Sequence, residues 1–143
     1  MTAQEQLTLK YGNPKDAAFE PKWMVKWEIK KEFSWFPKTN IYIHKDFKEK
    51  LQVAFTKLEQ LQLHTEIITF DGCFNIRFVR GSKKVYSIHS WGCAIDLNAA
   101  ENPLASAGKW SANFIAVMVN CNVYCGQNWL GRKDPMHFAL VNG

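Results

Sequence analysis

Nowhere in this 143-residue chain do about 18 apolar residues run together, so no membrane-spanning helix is expected. The opening stretch, MTAQEQLTLKYGNPKDAAFE, lacks a basic start followed by an apolar run, which predicts a chain made without a secretory leader. Cysteine is sparse, at Cys73, Cys93, Cys121 and Cys125, and without export these are expected as free thiols rather than bridges. Cys121 and Cys125 stand four apart, but no second Cys or His pair accompanies them, so small buried hydrophobes are expected rather than a zinc clip. There is no internal repeat, low-complexity tract or linker. One domain is therefore expected over residues 1–143, with a lead-in over 1–40 and a core over 41–143.

What is present suits a packed core. Hydrophobic residues make up 47% and aromatic ones 14% of the chain, enough for a domain of this length to bury about two thirds of its unfolded surface. A net charge of +5 favours an anionic partner, whether nucleic acid, anionic lipid or an acidic polymer such as a bacterial wall. Lys22, Lys26, Lys30 and Lys31 interleave with Trp23 and Trp27. That mixture fits a nucleic-acid surface, but it fits better a wet lysine face over aromatics that turn inward.

The clearest element is DFKEKLQVAFTKLEQL, where Phe47, Leu51, Ala54, Phe55, Leu58 and Leu61 recur at spacings of three and four. This predicts an amphipathic helix, with Asp46 as its N-cap. IYIH before it reads as a short apolar segment. HTEIITF and FNIRFV, around Asp71-Gly72, predict a strand pair, and CAIDLN another strand. Ser111 is placed to cap a second helix running to Asn120, and NVYCG and MHFAL predict further strands. Without a regular βαβ alternation the class is α+β: a small antiparallel sheet with flanking helices.

Histidine is scarce too, and two of the four lie beside aspartates in HSWGCAID and DPMHF. His89 and Asp96 lie seven apart across Gly92, so a turn at Trp91-Gly92 brings both side chains toward one point. With His137 they make a set of N and O donors that suits Zn²⁺ with an open position. Asp134, three residues before His137, is placed to act as a base beside such a metal. The same residues also suit packed, hydrogen-bonded histidines, and no His-Glu-x-x-His helix fixes the ligands locally.

SIHSWGCAID resembles the Ser-x-His-x-x-Gly-x-Ala-x-Asp signature of the VanY-like zinc peptidases, the family of D-alanyl-D-alanine carboxypeptidases and phage L-alanyl-D-glutamate endopeptidases. DPMHF resembles its closing Asp-x-x-His-Phe. GCFNIRFVRGS, LNAAENP and GQNW are similar to other family segments, so the resemblance covers roughly residues 40 to 140. It implies a hedgehog/DD-peptidase-like fold, Zn²⁺ on His89, Asp96 and His137, and Asp134 as general base. Arg77 matches the arginine that holds substrate carboxylate or polarises the scissile carbonyl, and Arg80 is a second cation. Ser87 and Trp129 are expected at the substrate. Two departures stand out: Ala139 follows Phe138 where the family often has glutamate, and Cys93 stands where arginine is frequent.

The resemblance implies a monomeric zinc peptidase acting on the stem peptides of bacterial peptidoglycan, without nucleic acid or membrane insertion. Together with the missing leader it suggests a phage endolysin with L-alanyl-D-glutamate endopeptidase activity, made in the host cytoplasm and acting on the wall after release. The alternatives are a D-alanyl-D-alanine carboxypeptidase, a non-enzymatic zinc-containing binding domain of the same fold, and a basic nucleic-acid binder.

Overall fold

The computed structural model describes residues 1–143. Its longest element is the helix over Lys45–Gln60, α4 below, which buries Phe47, Leu51, Ala54, Phe55 and Leu58 along one stripe. Leu61, expected on that stripe, lies one residue past the last turn and is half exposed. The N-cap is His44 rather than Asp46. Its imidazole accepts a hydrogen bond from the Asp46 backbone N–H, so the helix begins earlier and Asp46 falls in its first turn.

Five helices, α1 (Ala3–Tyr11), α2 (Phe19–Trp23), α3 (Ile29–Glu32), α4 and α5 (Ala112–Asn120), accompany six strands in two antiparallel sheets. In the smaller sheet β1 (Met24–Trp27) pairs with β2 (Ile41–His44). In the larger, β3 (Phe70–Gly72), β4 (Ala94–Leu97), β6 (Asp134–Ala139) and β5 (Tyr124–Gly126) lie in that order. The class is α+β, as expected. α5 follows the sequence reading closely: the Ser111 hydroxyl accepts from the Phe114 backbone N–H at 3.1 Å, and the helix ends at Asn120.

Two regions differ from expectation. The lead-in contains a capped helix: the Thr2 hydroxyl accepts from the Glu5 N–H while the Glu5 carboxylate accepts from the Thr2 N–H. α1 buries Ala3, Leu7 and Tyr11. Its apolar side is narrow, which explains why periodicity did not reveal it. The strand pair expected around a turn at Asp71-Gly72 does not form there, because those residues lie inside β3, which pairs with β4 instead. Asn98 takes the donors a partner strand would have taken, its carbonyl accepting from the Ile68 and Thr69 N–H groups at 2.8 and 3.0 Å.

The main core joins the α4 stripe to Trp27, Phe36, Ile43, Phe114, Met118 and Phe138, and a second cluster packs α1 onto Ile88, Trp91, Cys93, Ala94 and Ala139. Trp27 turns inward, and Lys22 and Lys45 lie over the ring of Trp23. All four cysteines are free thiols, three of them buried and Cys121 partly exposed.

Candidate metal centre

Three pieces of chain bring His89, Asp96 and His137 together. Asp96 on β4 and His137 on β6 are direct cross-strand partners. His89 lies in a single 3-10 turn, Ile88–Trp91, that leads into β4. Ser87 caps that turn by accepting from the His89 N–H, and Gly92 ends it at φ +67°, the left-handed conformation that favours glycine. A side chain on Gly92 would also meet Met24 Sδ at 2.6 Å and the backbone nitrogen of His44 at 3.0 Å.

The ligand atoms of the three residues lie within 4.8 Å of one another. His89 Nδ1 is 2.7 Å from the Cys73 carbonyl, so it is the protonated nitrogen and Nε2 faces inward bare. His137 Nε2 likewise donates to the main-chain oxygen of Gly143 at 2.8 Å, leaving Nδ1 bare. The inward atoms are 3.3 Å (His89 Nε2) and 4.0 Å (His137 Nδ1) from the Asp96 carboxylate. His89 Nε2 and Asp96 Oδ1 are buried with no hydrogen-bond partner. A cluster of lone pairs without a donor requires positive charge at its centre. A proton on His89 would answer Asp96 alone, whereas a divalent cation answers all three, and the donor set suits Zn²⁺.

Protonation states agree with that fit. Burial pushes the carboxyl of Asp96 up, but the hydrogen bond and positive charge that a protonated His89 brings, the charge of a protonated His137 and the Arg77 guanidinium outweigh it and hold it below the usual range. A cation held between neutral imidazoles acts in the same direction. Burial drives the His137 imidazole down to about 4, which keeps it neutral near pH 7. An ionised carboxylate and a neutral imidazole are the forms that bind metal.

The three donors open into a cleft of about 290 Å³. Asp134 lines it, half buried, its carboxyl raised by burial and by the Asp96 charge against the opposing pull of His89, Arg132 and Arg77. In a regular strand residues three apart face opposite sides. β6 is bulged here: Gly126 pairs with Asp134 and Cys125 with Phe138, so one step along β5 spans four along β6. The bulge lets Asp134 and His137 share the cleft.

Arg77, Arg80, Ser87 and Trp129 all line the same cleft. Arg77 is fixed through its backbone, with the Ser90 hydroxyl accepting from its N–H at 3.1 Å and donating to its carbonyl at 3.0 Å. The Trp129 ring lies 5.4 Å from that of His137. Its loop is clamped by Lys133 Nζ, which donates to the carbonyls of Gln127 and Trp129, and is tied to the opposite wall where the Ala105 N–H meets the Lys133 carbonyl at 2.7 Å. Cys93 takes no part. It is fully buried in the α1 cluster, and burial pushes its thiol far up.

Sequence reasoning missed Arg132, Leu104 and Met136, which also line the cleft. Arg132 reaches toward Arg80 from another loop, its guanidinium 3.5 Å from the Arg80 carbonyl, and no local pattern marks it.

Fold and site together define a small α+β domain with a His-Asp-His set that could hold a metal ion, a half-buried second aspartate and a cleft bordered by arginines. Residues 80–140 match the sequence model of a family described as D-alanyl-D-alanine carboxypeptidase, and the match supports the VanY-like peptidase family. The matched stretch holds His89, Asp96, Asp134 and His137. Arg77 and helices α1 to α4 lie outside it. A comparison with curated proteins found no match.

Proposed function

We propose that this chain is a zinc-dependent peptidase that cleaves the stem peptides of bacterial peptidoglycan, with His89, Asp96 and His137 as the metal ligands. The observation that carries the reading is the convergence of three bare donor atoms within 4.8 Å at the floor of a cleft. Bound Zn²⁺ supplies Lewis acidity toward a water and a carbonyl oxygen. The chain's own residues do the rest. Asp134, made more basic by burial and by Asp96, takes a proton from the attacking water onto its carboxylate and returns it to the leaving amine. Arg77, on the cleft wall, is the residue assigned to offset the negative charge that develops on the carbonyl oxygen. Ser87 holds the turn that carries His89, and Trp129, Leu104 and Met136 form apolar wall that excludes water.

The preferred activity is L-alanyl-D-glutamate endopeptidase of the endolysin type, made in a host cytoplasm and acting on the wall after release. Arg77, Arg80 and Arg132 around one cleft suit a substrate with carboxylates flanking the scissile bond. Removal of terminal D-alanine is the second reading, favoured by the description of the matched family. Mass spectrometry of digested muropeptides separates the two, because they release different fragments. Metal analysis on the wild type and His137→Ala completes the test. Stoichiometric zinc with cleavage, both lost in the variant, is the expected result, and a zinc-loaded wild type that leaves peptidoglycan uncut rules the proposal out.

A further inference from the structure

His137 is buried, so the outer nitrogen of its ring needs a hydrogen-bond acceptor. Beyond β6 the Leu140 N–H donates to the Cys93 carbonyl at 2.9 Å, and the chain folds back so that Gly143 lines the cleft. The main-chain oxygen of Gly143 is 2.8 Å from His137 Nε2. Gly143 lies flat against α1, where a Cβ added to it would fall 2.4 Å from the Ala3 Cβ. α1 is itself tied at both ends to the segment that carries His89. Gln4 Nε2 donates to the Tyr86 carbonyl at 3.1 Å, and Trp91 Nε1 donates to the Gly12 carbonyl at 2.9 Å.

We propose that the main-chain oxygen of Gly143, seated on Ala3 of α1, is the positioning group for His137: it holds the proton on Nε2 and thereby turns Nδ1, bare, toward Asp96. This rests on the metal-centre reading and extends it to residues outside the matched stretch. An imidazole without an outer acceptor samples both tautomers and can turn its ring, and the Nδ1–H form has no lone pair for a metal at that position. The outer hydrogen bond removes that freedom before metal arrives, as such bonds do for metal-ligating histidines generally.

The test compares the wild type with a chain lacking Gly143 and with Ala3→Leu, which pushes Gly143 off α1. Two readouts are taken: ¹⁵N imidazole spectra of the metal-free protein, and Zn²⁺ affinity by chelator competition. The expected result is a single Nε2–H form of His137 in the wild type, mixed or Nδ1–H forms in both variants, and a loss of about 10- to 100-fold in Zn²⁺ affinity. The chain without Gly143 keeps every core side chain, so it remains informative if Ala3→Leu folds poorly. Unchanged His137 signals and zinc affinity in that chain overturn the proposal. A wild type that binds no Zn²⁺ overturns the metal reading instead, and the tautomer spectra then decide on Gly143 alone.

Discussion

At Gly92 two requirements meet in one residue: a left-handed backbone at φ +67° and no room for a Cβ against Met24 and the His44 backbone. Gly92→Ala is therefore expected to destabilise the fold by about 1–3 kcal/mol, measured by urea denaturation, because strain and clash add. In the proposed reaction Asp134 serves chemistry rather than structure. Asp134→Asn, close to isosteric, should retain zinc and the unfolding midpoint while losing roughly 10²- to 10⁴-fold in cleavage rate, and retained activity would show that the base lies elsewhere. His44 responds to acid. Burial among Tyr11, Phe19 and Trp23 drives its imidazole from the ordinary 6.5 down to about 4, with Asp46 opposing that shift and Lys45 and Lys10 adding to it. Its Nδ1 accepts from the Asp46 N–H, so a second proton must displace the cap. Between pH 6.5 and 4 the unfolded chain takes up a proton that the folded chain refuses, so stability falls as pH falls across that window and levels off below it. His44→Phe should flatten this part of a plot of melting temperature against pH.

Among the elements, α1 has the largest consequence for its size. Leu7, 2% exposed, lies in the cluster with Ile88 and Trp91, which flank His89 in the 3-10 turn. Leu7→Ala should cost about 2–4 kcal/mol in urea denaturation, although the residue lies far outside the matched stretch. β6 shows how an element sets chemistry. Its cross-strand register with β4 places His137 against Asp96, and its bulge against β5 turns Asp134 to the same side. A strand of perfect period two would have presented only one of the two acidic or imidazole groups to the cleft.

Across the whole molecule the net charge of +5 and the arginines of the cleft face an anionic polymer in the proposed reaction. Long-range attraction of this kind weakens as the screening length falls from about 10 Å at 0.1 M to 3 Å at 1 M salt. Cleavage of isolated walls should therefore lose apparent affinity with rising salt while the saturated rate changes little. A saturated rate that collapses in parallel would point to the metal centre, not the surface charge.

The sequence by itself determined the α4 stripe, the Ser111 cap, the strands around Asp96 and His137, and the donor set, because each is written in local spacing and side-chain chemistry. It misplaced the α4 cap and the Asp71-Gly72 turn, where His44 and Asn98 side chains take hydrogen bonds that short-range rules assign to others. The lead-in helix was legible in its Thr2-x-x-Glu5 capping box although its apolar side is narrow, whereas only the tertiary structure decided that Arg132 joins Arg77 and Arg80 and that Gly143 supplies the outer acceptor for His137. The first depends on loops distant in sequence meeting at the cleft and the second on how the chain folds back after β6, and no periodicity along the chain records where a main-chain oxygen will arrive.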